Sequence, residues 1–184
     1  MIYDLVPDNH PILKQKMEPF DFANPPVDPL ELVSDLAETM LAHNGIGISA
    51  NQCGLPYRVF VIKRIELIPC FNPRIIDTSE DQLVLEEGCL SFPNLFVKVK
   101  RPQVIKVRYT LPNGETVTEK YQDLTARVFQ HELDHLDGIC HLSRANRIHL
   151  EQAKKLKKKL DRQQKRGINN GASRSQEASA DQLL

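Results

Sequence analysis

The sequence predicts an α+β domain of mostly antiparallel sheet around a central helix carrying an HExxH motif, with a further helix at the C-terminal end. Three observations carry this. The middle of the chain, residues 58–122, is a series of β-branched runs separated by turn residues rather than by helical stretches. One strongly periodic helix follows it and contains His131, Glu132 and His135. A long basic stretch then closes the regular part of the chain. Strands first and a late helix favour α+β over an alternating α/β order.

The elements follow in order. "DPLELVSDLAETMLAHNG" is the first helix: Asp28 caps it, Pro29 suits the first helical position and Glu31 completes a capping box. Leu30, Val33, Leu36, Ala37, Met40 and Leu41 recur at helical spacing, and Asn44-Gly45 ends the helix. "GIGISANQCGLP" reads as a loop, and "RVFVIK" as a buried strand. "FNPRIID", "QLVLEEGCLSF" and "FVKVKRP" are further strands. "VIKVRYT" and "ETVTEKYQ" flank "LPNG", where Asn113-Gly114 signals a hairpin. The second helix runs from about Asp123 to Leu136 and stops at Gly138, and a third starts near Ser143. The polar, aperiodic end from residue 167 to 184 reads as a disordered tail, leaving 1–166 as one catalytic domain.

Composition narrows the function classes. The chain has 184 residues, 41% hydrophobic and 26% charged, which fits one domain with an ordinary core. Acids and bases balance at 24 each, so the chain as a whole is no polyanion binder, and no sequence-specific nucleic-acid contact is expected. No apolar run approaches the roughly 20 residues of a membrane span, and no secretory leader is visible. Cys53, Cys70, Cys89 and Cys140 form no paired framework, which favours a reducing, cytoplasmic setting with thiolates free for metal.

The spacing of His131 and His135 places two imidazoles one helical turn apart, able to share one cation. Glu132 lies about 100° further round the helix, where it reaches a water on that cation without taking a ligand position. Two exposed histidines flanking a glutamate by chance is the plain alternative. A catalytic metal takes three protein ligands, and three residues compete for the third place: His141, Glu151 and an upstream cysteine. With His141 the motif becomes HExxHxxGxxH, the pattern of the metzincin proteases. Those need a methionine downstream, whereas Met1, Met17 and Met40 all precede the motif. Glu151 is close for a thermolysin-like arrangement and reads as solvated. Cys89, in "EEGCLSFP", is equally readable as a small buried hydrophobe.

Three separated stretches settle on one family. "GIGISANQ" (45–52), "EGCLS" (87–91) and "QHELDHLDG" (130–138) resemble, in order and spacing, the three motifs of the peptide deformylases. The resemblance covers nearly the whole chain except the tail. It implies one divalent metal held by Cys89, His131 and His135, with Fe2+ as the physiological ion and Zn2+, Ni2+ or Co2+ as substitutes. It implies removal of the N-formyl group from the formylmethionine of newly made polypeptides, releasing formate. A metal-activated water attacks the formyl carbon, and Glu132 acts as general base and then acid. Gln52 and the Leu90 backbone N–H are the implied oxyanion donors. Gly45, Ile46, Gly47, Glu87, Gly88 and Val128 are the implied substrate-binding positions, with Leu85 and Leu124 as further pocket candidates. Glu87, with Arg101, is expected to support the loop.

The chain departs from the family pattern at a few places. Ser49-Ala50 stands where two alanines are usual, and a buried hydroxyl there needs a partner. Phe92-Pro93-Asn94 replaces Ile-Pro-Gly, and Cys140 and His141 occupy positions commonly hydrophobic. Residues 147–166 carry nine Lys or Arg and two acids. A solvated face accounts for such a run, and ribosomal RNA contact is the functional alternative. The remaining readings are a zinc protease using His141 and a non-catalytic binding module for nascent chains or ribosomes. The setting expected is the cytoplasm of a bacterium or a virus-infected bacterium, or an organelle.

Overall fold

All strand pairings in the computed structural model, which describes the backbone of residues 1–177 and side chains through residue 163, are antiparallel. A five-stranded sheet runs in the order β1 (Gly47–Ser49), β2 (Val59–Ile62), β3 (Ile68–Thr78), β6 (Val104–Thr110), β7 (Thr116–Gln122). A separate hairpin pairs β4 (Gln82–Cys89) with β5 (Phe92–Pro102). Helix α1 (Pro29–Ala42) packs against β1 and β2, and α2 (Asp123–Leu136) against strands of both sheets.

β2 explains why "RVFVIK" shows no polar alternation. Val59 and Val61 join one core with Leu36, Met40 and Ile48, while Phe60 and Ile62 join the other with Phe129, Val128 and Leu136. The strand is buried on both faces, one toward α1 and one toward α2, so both of its side-chain rows are apolar. α2 is correspondingly a core helix: eleven of its residues are buried, including His131, Glu132 and His135.

The helix ends obey their sequence signals. Asp28 accepts hydrogen bonds from the N–H groups of Leu30 and Glu31 at 2.8 and 2.9 Å. Asn44, at φ +55°, takes the left-handed position after α1, and the Gly45 N–H reaches back to the Met40 carbonyl. Gly138 does the same for α2 at φ +71°, with Ile139 N–H bonding to the Asp134 carbonyl. The Asn113-Gly114 hairpin closes through a turn over Leu111–Gly114 with Gly114 at φ +86°.

Two expectations are corrected. The "GIGISANQCGLP" stretch is not all loop: it contains β1 and a 3-10 turn over Ala50–Cys53, because Gly47–Ser49 pairs with β2. The third helix, α3 (Arg147–Glu177), begins later than Ser143. His141–Arg144 forms a separate 3-10 turn, and Asn146 provides the true cap by accepting from Ile148 N–H at 2.8 Å. The α3 backbone runs to Glu177, and residues 178–184 of the expected tail lie outside the described residues.

Gly138 is also pressed against the N-terminal segment, where a Cβ would stand 2.7 Å from both the carbonyl carbon and oxygen of Lys14. Gly138→Ala combines this obstruction with a left-handed backbone, and is expected to lower unfolding free energy by about 2 kcal/mol or more. Urea denaturation measures it; an unchanged midpoint would show that the Lys14 segment yields freely.

Candidate functional site

α2 presents His131 and His135 on one face with ring centroids 5.0 Å apart. Cys89 ends β4 and pairs across the hairpin turn with Phe92, which brings its thiol to the same point. Its Sγ lies 3.1 Å from His135 Nε2, and the three ligating atoms all fall within 4.8 Å of one another. Among the described residues this is the one group of three or more such side chains placed to hold an ion. One soft thiolate and two imidazoles suit a divalent transition metal with a position left for water.

His141 is not part of that group. It is buried, its ring centroid stands 5.2 Å from that of His131 and 5.8 Å from that of Phe92, and its Nε2 has no hydrogen-bond partner among the described residues. Burial holds its pKa down at about 4, so it packs as a neutral ring. Glu151 is exposed on α3 and pairs with Lys154 at 3.1 Å. The three-histidine and His-His-Glu alternatives therefore lack their third ligand at the site.

Behind the ligands lies a buried ionic cluster centred on Glu87. Its Oε1 accepts from Arg101 at 2.7 Å and Arg127 at 2.8 Å, and its Oε2 from Arg101 at 2.9 Å and the His131 ring Nδ1 at 3.0 Å. Burial alone would raise the Glu87 pKa, but the Arg101, His131 and Arg127 contacts outweigh it and hold the carboxyl well below its ordinary value. With Nδ1–H donating to Glu87, His131 turns Nε2 toward the ligand set. Arg101 continues to Asp134 at 2.7 Å, and Arg144 closes on the same carboxylate at 2.6 Å. The expected Glu87–Arg101 pair is thus present, and it is buried. Asn51 adds a bond to the His135 carbonyl at 2.7 Å.

Glu132 is also buried. Its Oε2 accepts from the Ser49 hydroxyl at 2.6 Å, while Oε1 lies at Gly47, 2.5 Å from where a Cβ would stand. Burial pushes its pKa up, opposed by His131 and Ser49. Gln52 is held at both ends of its amide: Oε1 accepts from Ser49 N–H at 2.9 Å, and Nε2 donates to Ser91 Oγ at 3.0 Å beside Cys89 Sγ at 3.5 Å. The amide N–H face is therefore turned toward the ligand set.

These groups open into a cleft of about 560 Å³ lined by Gly45, Ile46, Gly47, Leu90, Val128 and Leu124, among others. Glu87 and Gly88 also border it, whereas Leu85 does not: it lies further along β4, off the lining. Sequence reasoning missed Arg127, Ser91 and Phe96. Phe96 lines the cleft with its ring over Gly88, 2.5 Å from a Cβ placed there, so any side chain at residue 88 would displace that ring. The unused signal was a large aromatic on the exposed row of an otherwise cationic strand face.

Known proteins resemble this chain in sequence and in fold. The sequence profile of the polypeptide deformylase family matches residues 2–151. A peptide deformylase of Pseudothermotoga lettingae is 46% identical over 110 residues, 60% of this chain and 64% of that protein. One of Phenylobacterium zucineum is 41% identical over 157 residues, 81% of this chain and 91% of that protein. The crystal structure of a Synechococcus elongatus peptide deformylase in complex with actinonin superimposes with a TM-score of 0.76 at 32% identity, covering 82% of this chain and 83% of that one.

Replacing Glu87 by Gln leaves His131 without its carboxylate partner and two buried arginines without their shared charge. Affinity for a divalent metal is expected to fall about 10- to 100-fold. Competition against a chelator at neutral pH reads this, and wild-type affinity would remove Glu87 from the support of the site.

Proposed function

The chain belongs to the polypeptide deformylase family, and on that premise we propose that Cys89, His131 and His135 hold its metal while Glu132 moves the proton of the reaction. The enzyme is a metal-dependent hydrolase that removes the formyl group from the N-terminal formylmethionine of nascent polypeptides. The observation that carries the residue assignment is the convergence of three ligand atoms within 4.8 Å beside a buried glutamate that faces the cleft.

When bound, such a metal supplies Lewis acidity, bringing the pKa of water down to about 7. The protein supplies the rest. β1 is an edge strand of its sheet, so an extended peptide can pair beside it, and Gly45 and Gly47 border the cleft there, Gly47 lacking the Cβ that would strike Glu132 and Val128. Ile46, Leu124 and Val128 offer apolar surface for the methionine side chain, and Gly88 with Glu87 borders the cleft opposite. Glu132 Oε1 accepts the proton of the attacking water and returns it to the departing amine. The Gln52 Nε2–H and the Leu90 backbone N–H donate to the oxygen that gains charge at the formyl carbon. Formate and a free amino terminus leave.

Fe2+ is the ion proposed, the thiolate favouring soft divalent metals, with Zn2+, Ni2+ or Co2+ able to replace it. Residues 1–166 are taken as the catalytic domain and the bacterial cytoplasm as its setting; no helix among the described residues is long and apolar enough to cross a membrane. The exposed lysines of α3 support contact with the ribosome.

Two measurements test these assignments. With protein prepared anaerobically in Fe2+, Cys89→Ala is expected to lose both bound metal and formate release, while His141→Ala keeps both. The reverse pattern would restore the protease-like ligand set. Reversing charge at Lys155, Lys158 and Lys159 together is expected to weaken ribosome co-sedimentation at low salt at least tenfold, by roughly one counterion-release step per lost phosphate contact. Unchanged co-sedimentation removes α3 from the interaction.

A further inference from the structure

We infer that Ser49 is a positioning residue for the reaction: its hydroxyl holds one oxygen of Glu132 so that the other is presented to the cleft. The inference rests on Glu132 being the proton carrier proposed above. Ser49 is fully buried, at 0% exposure, and closes β1. Its Oγ lies 2.6 Å from Glu132 Oε2 and 3.3 Å from the Glu132 carbonyl oxygen, and its single proton belongs with the nearer, charged acceptor.

The terminal torsion of a glutamate is broad and twofold, so a carboxylate without such a donor presents either oxygen. Here the two oxygens differ. Oε2 is tethered to Ser49, and Oε1 stands against Gly47 on the backbone that lines the cleft. The same residue aims the second polar group of the site: its N–H fixes Gln52 Oε1 and so turns Gln52 Nε2 toward Ser91 and Cys89. Its backbone role survives any substitution except proline, whereas the tether to Glu132 depends on the hydroxyl alone. Alanine differs from serine only by the hydroxyl and keeps the backbone N–H that holds Gln52, which makes Ser49→Ala a usable test.

Ser49→Ala is expected to lower kcat about three- to tenfold, the scale of one hydrogen bond to a charged group that is partly replaced by other packing. KM and bound metal should stay at wild-type values. In zinc-loaded protein carrying 13Cδ-labelled glutamate, the Glu132 resonance, assigned through its loss in Glu132→Gln, should move in Ser49→Ala. Wild-type kcat in Ser49→Ala, or a resonance that stays in place, overturns the role of Ser49. An inactive Glu132→Gln beside an unchanged Ser49→Ala removes only that role. A Glu132→Gln enzyme that still turns over removes the proton-carrier reading and this inference with it.

Discussion

The buried carboxylate of Glu87 is the contact on which the rest of the site depends. It joins four parts of the chain: β4, which carries it; β5, through Arg101; and two turns of α2, through Arg127 and His131. A lone carboxylate in that position would cost several kcal/mol of desolvation, as would either arginine without it. Together they satisfy one another, and the charge–charge geometry allows the β4–β5 hairpin only one seat on α2. That seat brings Cys89, two residues further along β4, to the two histidines.

The sheet arrangement supplies the other half of the constraint. β2 is apolar on both faces, so α1 and α2 lie on opposite sides of it and α2 becomes enclosed. An enclosed helix can carry a glutamate and two histidines in low dielectric only if each polar atom finds a partner. Most do: His131 on Glu87, Glu132 on Ser49, the His135 carbonyl on Asn51. Among the described residues, the Nε2 of His141 and the Oδ1 of Asn51 do not.

Much of this is legible in the sequence, and what is legible has local causes. The limits of α2, the Asp28 cap and the Gly138 stop rest on spacing and on turn chemistry that neighbours cannot override. Cys89 emerges as a ligand candidate only through the motif around it, since a single cysteine in a turn has no periodicity to read. Arg127 looks like a solvated helix residue until β4 is folded over it. The partner of Ser49 lies 83 residues away, so the hydroxyl was visible as a need but its acceptor was not. The late start of α3 was hidden because the 3-10 turn at His141–Arg144 imitates helical spacing for four residues.

One feature of the sheet bears on how broadly such an enzyme can act. β1 is only three residues long, and its outer edge ends almost as soon as it begins. A long bare edge invites other chains, including copies of itself, whereas a stub does not. For a substrate paired beside β1 as proposed, the same brevity confines the backbone contact to the first few residues of a polypeptide, leaving the rest of its sequence outside the grip.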